Sequence, residues 1–403
     1  MRDDRITRVG ADLHPDLTEP SPTATLLWAV ARPELDSGAV RAALARGPDL
    51  ELAARLAIDQ RLSPLLARAL TGVESSFAAM PPALASEVVA DTARCRAQAA
   101  LLLPVLARNA LQPLVDAGFE PVVMKGGALA ARYPDPGLRP MDDVDVFLPP
   151  LQHDGALRVL LAAGWERRDR IGRQHHEVPL IHPDVPGLPL ELHRSFSTWS
   201  TRSSRLSANV LWRDRTPCTV GGVQCFGFAP IDELLMLVTH AAKPFHTFRR
   251  LLWITDIAVV VGAAERAGRS FDWDEVASAA TQARCTTALA VALTQARMLG
   301  IDAPSALRRP AAKGVRLAAL APVLSSEWPV IERDAGIRNR LRYALVDDAR
   351  LRLALLGEKV ARGGPASTLR NTAGTGVRLV RRWHQLRHSG HGAREERRYA
   401  VKP

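Results

Sequence analysis

Apolar residues recur at helical spacing through the first quarter of the chain. In LELAARLAIDQRLSPLLARAL, Leu52, Leu56, Leu62, Leu65 and Leu66 fall where one helix face can bury them. A long helical run from Ser86 reaches Ala117-Gly118, where glycine is a natural stop. The texture then changes. PVVM and VDVFL are short apolar runs that predict strands, separated by Gly-Gly and the helix-like GALAARY. LQHDGALRVLLAAG predicts an amphipathic helix ending at Gly164, and WERRDR, HHEVPLI and LPLELHRSF predict strands broken by Pro and Gly turns. Beyond Pro230 the pattern is helical again, with Asp232 and either Asp272 or Asp274 as candidate caps.

This layout divides the chain into a loose lead-in (1–22), a helical region (23–117), an α/β unit (118–229), a second helical region (230–362) and a basic, partly disordered tail (363–403). The fold class it predicts is α+β: a small mixed sheet with helices, flanked by helical regions.

Composition sharpens the picture only in places. At 47% hydrophobic, 24% charged and 5% aromatic, the chain reads as globular, with a core of Leu, Ala and Val. Of 53 basic residues only five are Lys (Lys125, Lys243, Lys313, Lys359, Lys402), so an individual lysine carries more information than an arginine. Nine basic and two acidic residues between Arg370 and Pro403 supply +7 of the +11 net charge, leaving the body mildly basic. Four scattered cysteines without Cys-x-x-Cys spacing argue against a zinc site or disulfide framework and fit a reducing compartment. The start of the chain has no apolar signal core, and LLWITDIAVVVGAA carries Asp256 in its middle, so a buried helix is predicted rather than a membrane span. A cytoplasmic location follows.

The chemistry concentrates in PVVMKGGALAARYPDPGLRPMDDVDVFL. In a strand, Asp143 and Asp145 project to one face while Val144 and Val146 face the other. Two such carboxylates repel unless solvated or bridged by a cation, and Mg²⁺ prefers these hard oxygen ligands. The same spacing in Asp49-x-Glu51 and Asp272-x-Asp274 is that of ordinary helix starts. Asp142 points away from the pair. Lys125-Gly126-Gly127 lies where a strand turns into a helix, a place where backbone N–H groups can cradle phosphate. Arg139, four residues before Asp143, can serve a phosphate, the acids or a structural pair. PLELH offers a third carboxylate, Glu191, with His193 on the same face; the trio could hold two metal ions roughly 4 Å apart.

Lys-Gly-Gly, a short helix and Arg-x-x-x-Asp-x-Asp on a strand resemble the DNA polymerase β-type nucleotidyltransferase superfamily. Within it the chain is most similar to the uncharacterised bacterial nucleotidyltransferases with a helical N-terminal region, from about residue 25 to about 260. Abortive-infection and toxin nucleotidyltransferases have a similar pattern. The resemblance implies Mg²⁺-dependent transfer of a nucleoside monophosphate from an NTP to a hydroxyl, with Mn²⁺ able to substitute. It implies Asp143, Asp145 and Glu191 as metal ligands and catalytic carboxylates, and Lys125, Gly126 and Gly127 as the phosphate turn. Two departures stand out: Gly127 replaces the usual serine of that turn, and the third acid is Glu where Asp is commoner. The acceptor is open: a small molecule, a peptide or protein side chain, or an RNA end. A non-catalytic nucleotide sensor or scaffold on the same fold is the alternative.

Secondary signals complete the reading. In THAAKPFHTFRR, His240, Lys243 and His246 recur every three residues, either as a solvated helix end or as a basic lining for triphosphate, with Pro244 disfavouring helix at Lys243. Lys243 and His240 are the candidate nucleotide contacts there, with Arg249 or Arg250 assisting. Asp256 reads as a buried salt-bridge partner. His175 and His176 are adjacent and face opposite ways if in a strand, so they form no chelate. VRLVRRWHQLRH is an amphipathic basic helix that can contact RNA or an acidic partner.

Overall fold

The computed structural model describes residues 19–71, 80–168, 177–196, 206–266, 268, 271–331, 335–350, 352–353 and 355. His175, His176 and the basic tail lie outside them. Short polar caps open the first helices. Ser21, Asp36 and Asp49 accept backbone N–H bonds at the starts of α1 (Pro22–Val30), α2 (Ser37–Ala45) and α3 (Leu50–Asp59). After α4 (Ser63–Thr71), a long helical rod is built from α5 (Pro82–Ala97), α6 (Leu103–Leu106) and α7 (Gln112–Asp116). Its two π turns, Gln98–Leu102 and Ala107–Leu111, lie just ahead of Pro104 and Pro113, which lack the N–H that regular helix bonding requires. The rod ends at Asp116, and Gly118 follows with φ +81°, as the sequence leads one to expect.

The α/β unit is a seven-stranded mixed sheet in the order β3-β4-β5-β2-β1-β7-β6. Its strands are β1 (Val122–Met124), β2 (Val144–Phe147), β3 (Glu166–Arg167), β4 (Glu177–Ile181), β5 (Leu190–His193), β6 (Thr216–Val220) and β7 (Val223–Gly227). β1 is antiparallel to β2, and β2 is parallel to β5. Between β1 and β2 runs α8 (Lys125–Leu129), and α9 (Pro150–Ala162) follows β2.

The β6–β7 hairpin is an addition to the strands read from sequence. Its signal is Val-Gly-Gly-Val: Gly221 and Gly222 take φ +57° and +88°, as a tight hairpin turn requires. A Cβ at Gly221 would lie 2.8 Å from Leu103 O, so the turn also needs glycine to approach the rod.

Helices resume with α10 (Ala208–Arg213), α11 (Pro230–Ala241), α12 (Leu251–Arg266), α13 (Trp273–Gln282), α14 (Thr286–Ala296), α15 (Val315–Leu324) and α16 (Ala335–Ala344). Asp272 caps α13 as expected. Asp232 does not cap α11: Ala229 holds the cap position, Pro230 takes the first turn, and Asp232 falls inside that turn. The two helical regions, separate in sequence, share one core. Trp28 Nε1 donates to Ser326 O at 2.7 Å, Gln60 Nε2 to Pro329 O at 2.6 Å and Thr255 Oγ1 to Ala31 O at 2.9 Å. α12 is buried from Leu251 through Val261, and among the described residues no helix is long and apolar enough to cross a membrane.

Asp256, buried on α12, ties this helical body to the α/β unit. It accepts from Arg139 Nε at 3.1 Å and Nη2 at 2.7 Å, and from the Tyr133 hydroxyl at 2.7 Å. Breaking one side of such a pair leaves a buried charge unmatched. Asp256→Asn is therefore expected to cost about 3–5 kcal/mol and Tyr133→Phe about 1 kcal/mol, read as shifts in the urea midpoint.

Candidate active site

The register of two parallel strands sets the site. Asp145 on β2 stands directly beside Glu191 on β5, and Met124, at the end of β1, stands on the other side of Asp145. Alternation along β5 then brings His193 to the face of Glu191. Asp145 is 1% exposed, so its charge needs partners. Lys125 Nζ donates to Asp145 Oδ1 at 2.6 Å, and His193 Nε2 lies 2.8 Å from the same oxygen and 3.4 Å from Glu191 Oε2. Glu177, paired with His193 across β4 and β5, approaches its Nδ1 at 3.6 Å. Asp145 Oδ2 is buried without a hydrogen-bond partner among the described residues.

Burial disfavours charge on every member of this group, and the partners decide the outcome. For Asp145, Lys125 and His193 outweigh burial and hold the carboxyl well below its usual range. His193 would be depressed by burial, but its bonds to Asp145 and Glu191 lift it to about 9. Likewise Asp145 and Asp143 overcome burial at Lys125 and hold the ammonium above its ordinary value. Asp143 moves the opposite way. It lies just before β2 and is half-buried, and burial followed by the Asp145 charge pushes its carboxyl up. Two neighbouring carboxyls with opposite shifts are a frequent mark of a functional site.

The donor atoms of Asp145, Glu191 and His193 lie within 4.8 Å of one another, close enough to converge on one ion. Sequence reasoning placed Asp143, Asp145 and Glu191 together. The structure brings Asp145 and Glu191 together, sets Asp143 at their edge and adds His193. Position i+2 from Glu191 was the signal for His193. Glu177 was visible in sequence only as the end of His175-His176-Glu177, and its meeting with His193 follows from the strand register.

The other predicted residues sort clearly. Lys125 takes left-handed backbone, φ +49°, where glycine would be relaxed; its ammonium, spent on Asp145, accounts for keeping lysine there. Gly126 and Gly127 are buried packing positions. A Cβ on Gly126 would run into Arg139 and sit 2.9 Å from Met141 Cγ, and one on Gly127 would sit 2.9 Å from Val123 Cγ1. Arg139, a candidate phosphate contact, is instead committed: its guanidinium binds Asp256 and Pro140 O beneath the Gly126 turn. Asp142 is exposed and turned away, paired with Arg61 and Arg250.

Lys243 and His240 line a cleft with Lys125 and His193, floored by Met124, Phe196 and Met236. They do not share a helix face with His246, because α11 ends at Ala241 ahead of Pro244. The chain then turns through Thr247 and Phe248, both left-handed at φ +45° and +56°, which buries Phe248. His240 packs against His246 and Trp253, with ring centroids 4.5 and 5.5 Å away; burial, reinforced by Lys125 and Lys243, keeps it neutral. Lys243 is different. Among the described residues no carboxylate reaches ion-pair distance of its ammonium, and burial followed by the Lys125 charge lowers it to about 8.

The family model described as "Uncharacterised nucleotidyltransferase" matches residues 47–300, more than half of the chain. The chain belongs to that nucleotidyltransferase family. The match begins later and ends later than the resemblance read from sequence, and it takes in every residue from Lys125 to Lys243. A search of curated proteins returned no match. Among solved structures, the solution structure of the antibiotic-resistance factor ANT(2'')-Ia is similar at 13% identity over 44% of this chain and 94% of that one, with a TM-score of 0.27, too low to add weight.

The position of Lys243 in this nucleotidyltransferase has a stability consequence. Its folded value near 8 is below its free value of 10.5, so the unfolded chain holds the proton more tightly between those limits. The cost is full below pH 8 and fades as pH rises to 10.5. Lys243→Met should exceed wild type by roughly 1–3 kcal/mol at pH 7, with the gap closing above pH 8 in urea titrations.

Proposed function

We propose that this nucleotidyltransferase is a divalent-metal-dependent enzyme that transfers a nucleoside monophosphate from an NTP to a hydroxyl acceptor and releases pyrophosphate. The observation that carries the proposal is the pairing of Asp145 with Glu191 across β2 and β5, with Asp145 Oδ2 buried and unpartnered beside a cleft lined by Lys125 and Lys243. The donor set fits Mg²⁺: hard oxygens from Asp145, Glu191 and the adjacent Asp143, with Asp145 Oδ2 lacking another partner among the described residues. When bound there, Mg²⁺ supplies charge neutralisation of the triphosphate and acidifies the attacking hydroxyl.

The chain's own residues then have separate tasks. Lys125 and His193 keep Asp145 ionised and oriented. Lys243, which has no carboxylate at ion-pair distance among the described residues, faces the cleft and offsets triphosphate charge as long as it stays protonated. Gly126 and Gly127 let α8 pack closely against Met141, Val123 and Val144, and the first-turn N–H groups of α8 are its candidates to serve phosphate oxygens. Glu191, partly exposed, accepts the hydroxyl proton while the acceptor oxygen forms its bond to the α-phosphorus and the bond from phosphorus to pyrophosphate breaks.

One observation favours a second reading, a non-catalytic nucleotide sensor or scaffold. Asp145 Oδ1 already has two cationic partners, which a metal-free binding module also needs. Pyrophosphate release with Mg²⁺ and each of the four NTPs separates the two, using a cell extract as the source of acceptor. Wild type should release pyrophosphate with at least one NTP, and Asp145→Asn, assayed below its own melting temperature because Lys125 and His193 lose their counter-charge, should lower the rate at least ~10³-fold. Metal-free nucleotide binding without release from any NTP would leave the sensor reading standing instead.

A further inference from the structure

Asp142 neighbours Asp143 but turns to the opposite side, where it is 44% exposed. Its two oxygens are divided between two guanidinium groups from distant parts of the chain. Arg61, just after α3, pairs with Oδ1, and Arg250, just before α12, lies 3.2 Å from Oδ2. Arg61 itself occupies an unusual place. The N–H groups of Arg61 and Leu62 bond back to Ile58 O and Ala57 O, closing α3 in a left-handed turn with Arg61 at φ +64°. Glycine is the ordinary occupant of that position, and another residue there costs on the order of 1 kcal/mol. Retaining arginine is therefore explained by what its side chain reaches.

What it reaches is a cluster of guanidinium groups. Two guanidiniums share one carboxylate, while the neighbouring Arg94 is engaged by Asp91. Beyond burial, Arg250 is attracted by Asp59 and Asp143 and repelled by Arg139. Burial, followed by the charge of Arg250, depresses the Arg61 guanidinium, the direction expected where like charges are crowded. Both arginines keep solvent access, at 20% and 28% side-chain exposure. A carboxylate held by one nitrogen from each of two guanidiniums stands where a phosphate could also be held, and phosphate brings more charge and further oxygens that each planar group could engage with two nitrogens.

We propose that Arg61 and Arg250 form a phosphate-binding subsite beside Asp143, in which Asp142 is an internal stand-in that a substrate phosphate group displaces. The proposal rests on the nucleotidyltransferase reading for the identity of its substrate: the phosphate belongs to the outer end of the donor triphosphate or to a phosphorylated acceptor.

Isothermal titration calorimetry without metal, using inorganic phosphate and pyrophosphate as probes, tests it on the full chain. Arg61→Gln and Arg250→Gln should each weaken binding about tenfold, the scale of one lost charge-assisted pair. Asp142→Asn should act with the opposite sign, tightening pyrophosphate binding several-fold, because the stand-in no longer competes. A purely structural clasp gives no such gain. An Asp142→Asn protein that binds no tighter than wild type, arginine variants that bind as wild type does, or a wild type that binds neither probe would each overturn the proposal. Where a glutamine variant melts below the assay temperature, Arg61→Lys and Arg250→Lys keep the charge, lose the fork and should still bind more weakly. ATP in the same series separates the sources. Affinity that follows pyrophosphate across the variants assigns the donor tail, and ATP affinity that stays constant assigns an acceptor phosphate. Because the readout is binding without metal, a chain that turns over no NTP still gives a decisive answer.

Discussion

A carboxylate at 1% exposure stands at the centre of this molecule, and its ionisation has to be maintained against burial. Removing such a charge from water costs several kcal/mol unless cations compensate. For Asp145 the compensation comes from two elements. Lys125 arrives from the turn between β1 and α8, and His193 from the end of β5, both on Oδ1. That arrangement requires β1, β2 and β5 to be adjacent, which the sheet order provides. It also leaves Oδ2 buried and, among the described residues, without a partner. The strand order, the left-handed backbone of Lys125 and the raised His193 all bear on holding this one charge.

The helical body serves the same end at a distance. Asp256 on α12 grips Arg139, which lies under Gly126 and braces the turn that carries Lys125. α11 ends at the cleft and delivers His240 and Lys243 to its wall. Because the N- and C-terminal helices share a core, the turn carrying Lys125, the cleft and the Asp142 clasp belong to one packed assembly.

Much of the architecture could be read from the sequence because it rests on local chemistry. Caps at Asp49 and Asp272 and the stop at Gly118 are short-range features, and apolar runs together with Pro- and Gly-bounded segments marked five of the seven strands. Asp143, Asp145 and Glu191 could be picked out because strand alternation and acidic spacing are visible in a line of letters. What escaped depended on pairings between distant segments. The β6–β7 hairpin was hidden in an unremarkable run whose one clue was Gly221-Gly222. Glu177 meets His193 only through the register of β4 and β5. Arg139 could not be assigned between phosphate, acids and a structural pair until Asp256, 117 positions away, was seen to bind it. Tertiary packing, not residue type, made those choices.

The central claim is that Asp145 Oδ2 and Glu191 await a divalent cation. Crystals grown with Mn²⁺ and a non-hydrolysable NTP analogue, with data collected at the manganese absorption edge, address it directly. The account predicts an anomalous peak in contact with Asp145 Oδ2 and a Glu191 carboxylate oxygen, with Lys125 and His193 still on Oδ1. Nucleotide density in the cleft without any anomalous peak at these carboxylates would contradict it.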